Sequence, residues 1–166
     1  MRTITEASTS MTAPAPLDKQ SNSTAQRRRQ TPAQCSTRHL GTYRELEPDR
    51  TDAPSIHDSI ATEPRSDEAK LIAYLRSGTR LALCGTASYD ELRGDVTLIG
   101  ENSLRTDGTW FWNSDLAYYV KTYHLALDDR FVAHAAGSAW RPPHINAAEL
   151  LALCDQLCDA DAPWSW

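Results

Sequence analysis

The chain has 166 residues, of which 40% are hydrophobic and 23% are charged, and its formal net charge is −5 at pH 7. This acidic balance argues against binding of bare nucleic acid, which requires a basic protein surface. No apolar run approaches the roughly 18 residues of a membrane-spanning helix, so no membrane contact is predicted. The four cysteines form no Cys-x-x-Cys pair and no signal peptide is recognisable, which favours a cytoplasmic protein with reduced thiols.

The aromatic residues are distributed unevenly along the chain. Of the 13 Phe, Trp and Tyr residues, Tyr43 is the only one in residues 1–65, and the other 12 lie in residues 66–166. The first segment is rich in Ser, Thr, Pro and Gln, so it lacks the apolar surface that would offset the conformational entropy lost on folding. We therefore predict a disordered tail over residues 1–65 and a single α+β domain over residues 66–166.

The first half of the predicted domain alternates between helical and extended patterns. A helix is predicted over residues 67–76, because Ser66 is a typical N-cap and Gly78 is a typical C-terminal stop. Short apolar runs and turn-flanking segments predict strands. These strands lie at residues 81–84, 96–99, 103–106 and 109–112. The capping-box spacing of Ser88–Glu91 predicts one short helical turn between the first two strands.

The Asp107-Gly108 pair predicts a hairpin turn between the last two strands. A type I′ turn requires positive φ at both central residues, and Asp-Gly is one of the pairs that adopt it most readily. The hairpin would bring the two strands together as neighbours in an antiparallel sheet.

Three helices are predicted after the hairpin. The first begins near residues 113–114 and gathers apolar side chains on one face. These side chains are Leu116, Tyr119, Val120 and Tyr123. Asp128 caps the second helix, and Asn146 begins the third through a capping box with Glu149. The predicted fold class is therefore α+β, with a small, mainly antiparallel sheet packed against three to four helices.

No motif for catalysis, phosphate binding or metal binding is recognisable. The chain lacks a Gly-x-Ser-x-Gly elbow, a P-loop, a dinucleotide-binding glycine pattern and the zinc-deaminase signature. Cys154 and Cys158 are four residues apart, but they lie in a leucine-rich helix face, where Cys acts as a small hydrophobic residue. We expect no catalytic residue, cofactor or metal ion.

The run Trp110-Phe111-Trp112 gives the sharpest functional hypothesis. Alternation along a strand places the two tryptophans on one face and Phe111 on the other. If Phe111 faces the core, both tryptophans are exposed and able to anchor a partner; the alternative is that both are core residues. Tyr118 lies outside the apolar helix face and is expected to be exposed. The predicted interaction patch consists of Trp110, Trp112, Asp115, Tyr118 and Trp140.

The segment Thr106–Val120 begins Thr-Asp-Gly-Thr-Trp-Phe-Trp, continues into a helix with Tyr118-Tyr119, and is followed by His124. In these features the chain resembles a set of small uncharacterised actinobacterial proteins that carry a Thr-Asp-Gly-x-Trp-x-Trp segment and a Tyr-Tyr helix. The resemblance covers residues 70–166. Some of these proteins are similar in size and acidity to immunity proteins of polymorphic toxin systems, so the resemblance implies an immunity-like role by association.

We expect a non-enzymatic protein-binding domain with an immunity-like or regulatory role. The acidic surface would steer a basic protein partner, and the exposed aromatic residues would supply the buried anchors of the complex. One alternative is a small hydrolase that uses a carboxylate and His124 in a cleft beside the hairpin. Another is a domain that stacks sugars or nucleotides on the same tryptophans.

Overall fold

The computed structural model describes residues 38–159, without the side chains of residues 158 and 159. Within this range the chain forms four strands and four α-helices, which confirms the predicted α+β class. The strands are β1 (Arg38–Leu40), β2 (Thr79–Tyr89), β3 (Leu98–Thr106) and β4 (Trp110–Asn113). The helices are α1 (Glu68–Ser77), α2 (Leu116–Tyr123), α3 (Asp129–Gly137) and α4 (Ala147–Asp159), and a 3₁₀ turn spans Ile56–Ser59.

The four strands form one mixed sheet in the order β1-β4-β3-β2. The β2–β3 and β3–β4 pairs are antiparallel and the β1–β4 pair is parallel, so the sheet is mainly antiparallel, as predicted. In the part of the chain that the structure describes, β1 and β2 are the edges and β4 is an interior strand. Phe111 illustrates this position, because it pairs with His39 of β1 and with Thr106 of β3.

Folded structure begins before the predicted domain boundary. β1 pairs in register with β4, and three apolar side chains from the same segment are buried: Leu40, Tyr43 and Ile56. Residues 1–65 were predicted to be a disordered tail and residues 66–166 the whole domain. This boundary is wrong for residues 38–65, which belong to the folded domain. The few apolar residues of this segment are buried in a hydrophobic core that later elements mainly form, so the segment does not need a core of its own. Residues 1–37 lie outside the described range.

The predicted hairpin is present, but its turn is not type I′. The strands β3 and β4 are joined through Asp107 and Gly108, and the Asp107 N–H donates to the Trp110 carbonyl at 3.2 Å. Gly108 has a φ of +90°, whereas the φ of Asp107 is not positive, so the turn lacks the backbone that type I′ requires. Instead, Asp107 Oδ1 accepts the N–H groups of Thr109 and Trp110 at 2.9 and 2.7 Å, and this carboxylate fixes the turn.

The strand β2 extends through a region where a helical turn was predicted. Ser88 and Tyr89 belong to the strand, so the predicted turn at Ser88–Glu91 is wrong. The Ser88 side chain is buried, and its hydroxyl donates to Asp115 Oδ2 at 2.6 Å instead of capping a helix. Capping-box spacing is a local signal, and it cannot report a partner that lies 27 residues away.

The face of the sheet that carries Trp110 and Trp112 is covered by helices and forms the main core. The Trp112 ring lies 6.2 Å from that of Tyr74 of α1 and 5.6 Å from that of Phe131 of α3, centroid to centroid. Gly78 ends α1 at this point of close approach. A Cβ atom there would lie 2.5 Å from the Trp112 ring, so only glycine fits without movement.

Local capping signals position the starts of α3 and α4 correctly, whereas α1 and α2 begin after Asp67 and Asp115 instead of the predicted caps at Ser66 and residues 113–114. Asp128 caps α3 and accepts the Arg130 N–H at 2.8 Å. At the start of α4, Asn146 Oδ1 accepts the Glu149 N–H, and Glu149 Oε2 accepts the Asn146 N–H, each at 3.0 Å, which is the predicted capping box. None of the helices in residues 38–159 is long and apolar enough to cross a membrane.

Candidate functional site

The two tryptophans of the predicted interaction patch are core residues. Trp110 is 3% exposed and Trp112 is 0% exposed, so their assignment to an exposed patch is wrong and the alternative of two core residues is confirmed. The physical reason is the position of β4. As an interior strand with helices over the tryptophan face, it leaves no open side for these rings, and Phe111 on the opposite face is buried as well.

The other three residues of the predicted patch are each partly buried, with different partners. Tyr118 donates its hydroxyl to Asp90 Oδ2 at 2.9 Å, so it is not the exposed anchor that its helix position predicted. Asp115 accepts from Ser88, and its burial raises the pKa of its carboxyl group. Trp140 follows α3 in a left-handed conformation and packs against the core. The five residues therefore do not form one exposed surface.

A buried carboxylate connects the β2–β3 loop to α2. Asp90 accepts the hydroxyls of Tyr123 at 2.6 Å and Tyr118 at 2.9 Å, and the Leu92 N–H at 3.0 Å. Burial alone would raise the pKa of Asp90, but these hydrogen bonds outweigh it and hold the pKa below its ordinary value. Burial and the bond to Asp90 raise the pKa of Tyr123 to about 12, so its hydroxyl stays a donor. The cluster therefore links the β2–β3 loop to α2 through hydrogen bonds.

Three imidazole–carboxylate pairs in the described residues bear on the alternative of a small hydrolase, and they involve His39, His124 and His134. His124 Nδ1 lies 3.0 Å from Glu68 Oε2, so the predicted pairing of His124 with a carboxylate does occur. His134 Nε2 lies 3.1 Å from Asp107 Oδ2, but that carboxylate already holds the hairpin turn. Neither of these two pairs lines the clefts described below, and we therefore derive no reaction from them. The third pair joins His39 Nδ1 to Glu47 Oε1 at 3.6 Å, and only its histidine is part of the lining of a cleft.

The wider of the two clefts, about 620 Å³, lies along β1 and the loop before α3. Its lining includes the carboxylates of Asp58, Asp128 and Asp129, and His39 lies at its wall. Arg130 is paired with Asp128 at 2.6 Å, so one positive charge in the cleft is already neutralised.

His39 gives the protein a specific sensitivity to acid. Burial, reinforced by the nearby charge of Arg50, lowers the pKa of His39 from 6.5 to about 4, even though the Glu47 carboxylate lies 3.6 Å away. Between these two pH values the unfolded chain binds a proton that the folded chain does not. The free energy of unfolding should therefore fall as the pH falls from 6.5 to 4, by up to about 1.4 kcal/mol per pH unit from this residue.

Urea denaturation across this pH range, with His39→Gln as the comparison, measures that contribution. We expect the variant to have a flatter profile between pH 6.5 and 4, because glutamine has no proton to bind. Parallel profiles for the two proteins would contradict the burial of an uncharged imidazole at position 39.

The smaller cleft, about 310 Å³, lies between the β2–β3 pair and the facing parts of α1 and α2. We call it the arginine cleft, because three arginines line it: Arg76, Arg80 and Arg105. Glu101 and Asp115 are the two acidic residues in the same lining. The cleft is thus a local concentration of positive charge in an acidic chain.

Exposed apolar side chains are concentrated on the hairpin that contains the edge strand β2. Five large hydrophobic residues in the described range are exposed, and all but Leu151 belong to the β2–β3 hairpin. We call these four the β2 edge patch: Leu83 (58% exposed), Tyr89 (42%), Val96 (87%) and Leu98 (62%). Tyr89 and Leu98 are cross-strand partners, and within residues 38–159 the outer side of β2 pairs with no other strand.

Sequence reasoning missed both the β2 edge patch and the arginine cleft. Leu83 lies in β2 where a strand was predicted, whereas the strands predicted at residues 96–99 and 103–106 are a single strand, β3, which begins at Leu98. In both places a strand pattern does not tell an edge from an interior position. Arg80 and Arg105 are 25 positions apart, and only the register of β2 on β3 makes them direct partners. An unbroken run without acidic residues from Thr79 to Ser88 was the one available signal of an unprotected edge.

Comparisons with other proteins give no further information about these sites. Comparisons with protein-family models, with curated proteins and with solved structures gave no match. Within residues 38–159, no group of three or more His, Cys, Asp or Glu side chains is arranged to hold a metal ion.

Proposed function

We propose that this protein is a non-enzymatic, cytoplasmic protein-binding domain with an immunity-like or regulatory role, and that it binds a basic partner along the β2 edge patch. The observation that carries this proposal is the concentration of four of the five large exposed hydrophobic residues on one hairpin. A concentration of large exposed apolar residues on one element of a small domain is typical of an interaction site.

The edge strand supplies a second kind of contact beside the apolar side chains. An outer strand presents unpaired N–H and C=O groups, to which an extended segment of another protein can add as a further strand. Among its 11 residues β2 has a single charged residue, Arg80, and no proline, so it lacks the usual protection against pairing. Its register shifts, with Gly85 at a φ of +67°, favour a short added segment over extended stacking.

The net charge of the described residues indicates the kind of partner. Residues 38–159 contain 19 Asp and Glu residues against 12 Lys and Arg residues. The resulting negative potential attracts a basic protein and raises its rate of association, whereas it opposes a second copy of the same chain. We therefore assign the edge to a basic protein partner.

We expect Leu83→Lys to weaken binding of the partner at least about tenfold, or about 1.4 kcal/mol, because it removes an apolar anchor and places a positive charge against a basic surface. Leu83→Glu should cost less, since it removes the anchor but keeps a favourable charge. The matched control is Leu151→Lys, which changes the same residue type at similar exposure (66%) on α4. The full-length protein and each variant would serve as bait in lysate of the source cells, with quantification by mass spectrometry.

The supporting result is a basic protein that wild type and Leu151→Lys retain, that Leu83→Lys loses, and that slows amide hydrogen exchange in β2 when bound. Equal retention by wild type and Leu83→Lys would contradict the proposal, as would the absence of any retained protein. A concentration-dependent dimer of wild type that Leu83→Lys converts to a monomer would assign the edge to self-association instead.

A further inference from the structure

The arginine cleft brings together positively charged residues that lie far apart in the sequence. Arg80 of β2 and Arg105 of β3 are direct cross-strand partners, a placement that is unfavourable for two like charges. Arg76, from the last turn of α1, lines the same cleft. Three arginines and two acidic residues, Glu101 and Asp115, line one concave space of about 310 Å³, so the positive charge of the lining needs more compensation than these two acids give.

The protein itself supplies only part of that compensation. Arg80 Nη2 lies 3.2 Å from Glu101 Oε1, an exposed pair that is weakened by solvent. Burial lowers the pKa of Arg105, the charge of Arg80 lowers it further, and the charge of Glu101 opposes this shift only in part. Asp115, the other acid in the lining, is partly buried, and burial raises the pKa of its carboxyl group.

One guanidinium group is held in place before any ligand arrives. Arg105 Nη1 donates to the carbonyl oxygens of Arg76 and Gly78, both at 2.9 Å, at the end of α1. These two bonds occupy one nitrogen of a planar group that carries five N–H donors. The fixed orientation lowers the entropy cost of binding an anion with the remaining donors.

We propose that the arginine cleft binds the phosphate group of a small phosphorylated molecule, with Arg76, Arg80 and Arg105 as the contacting residues. Guanidinium groups match phosphate oxygens through paired N–H donors, and three of them suit a dianion better than a singly charged carboxylate. The volume admits a phosphate with a small organic group. This site is separate in chemistry from the β2 edge patch and does not depend on the proposed protein partner.

The test is an NMR titration of the ¹⁵N-labelled full-length protein with inorganic phosphate and with glycerol 3-phosphate, at constant ionic strength. Sodium acetate is the comparison anion. We expect saturable shifts at Gly78, Gly100 and the arginine side-chain N–H groups, with a Kd on the order of 1 mM for phosphate. Acetate should bind at least about tenfold more weakly than phosphate.

Two variants locate the binding site. Arg80→Gln should weaken phosphate binding at least about tenfold, because it removes an exposed contacting group whose partner within the protein is a single exposed carboxylate. The matched control is Arg93→Gln. Arg93 is similarly exposed and pairs with Asp95 at 3.5 Å outside the cleft, so its replacement should leave the Kd unchanged.

Three results would overturn the inference. One is the absence of saturable shifts up to 50-fold above the expected Kd, on the order of 50 mM phosphate. Another is an equal loss of affinity in Arg80→Gln and Arg93→Gln, which would mean general charge screening. The last is acetate binding as tight as phosphate binding, which would identify a carboxylate site. Arg76→Gln provides an independent check, since it should also weaken binding while Tm stays near that of wild type.

Discussion

Trp112→Ala should lower the free energy of unfolding by about 4 kcal/mol, the usual range for removal of a fully buried large aromatic side chain. Trp112 is 0% exposed, stacks on Tyr74 and meets the edge of Phe131. Its indole Nε1 also donates to the Leu75 carbonyl at 3.0 Å, which ties β4 to the last turn of α1. The effect combines lost burial, a residual cavity and a lost hydrogen bond, and urea denaturation monitored by circular dichroism measures it.

Two comparisons separate these contributions. Trp112→Phe keeps most of the ring packing and removes the N–H donor, so its cost should be about 2 kcal/mol. Val96→Ala changes a side chain that is 87% exposed and should stay within about 0.5 kcal/mol of wild type. A cost below about 1 kcal/mol for Trp112→Ala would instead place this ring at the surface and restore the predicted aromatic patch.

The error about the tryptophans shows what a strand pattern leaves undetermined. Alternation correctly places Trp110 and Trp112 on one face, but it cannot say whether a strand lies at the edge or in the interior of its sheet. That was decided by Arg38–Leu40, which pairs with β4 from a segment whose average composition predicted disorder. A composition averaged over 65 residues conceals the few apolar side chains that join a core formed elsewhere.

Local signals, by contrast, predicted elements whose cause is local. The capping box of Asn146 and Glu149, the Asp128 cap and the Asp107-Gly108 turn position all appear where the sequence placed them. The candidate sites depend on register instead. The pairing of Arg80 with Arg105 lies directly beside a register shift between Arg80 and Ala82. No spacing rule in a single sequence predicts where such a bulge will fall.

Asp107→Ala should cost about 3 kcal/mol of stability, because one buried carboxylate satisfies several donors at once. Its side chain is 0% exposed. Besides the Thr109 and Trp110 N–H groups on Oδ1, Oδ2 accepts the Tyr74 hydroxyl at 2.8 Å. Removal leaves two backbone donors and one hydroxyl without this acceptor inside the protein, and each such loss typically costs 1–3 kcal/mol, less what relaxation and water recover.

A double-mutant cycle tests whether the hairpin turn and α1 are coupled through this carboxylate. Tyr74→Phe removes only the hydroxyl donor to Asp107 and should cost about 1 kcal/mol by itself. In an Asp107→Ala background the same change should cost almost nothing, since its acceptor is already gone. Equal costs of Tyr74→Phe in the two backgrounds would show that the turn carboxylate and α1 are energetically independent, and Asp107 would then act on the hairpin alone.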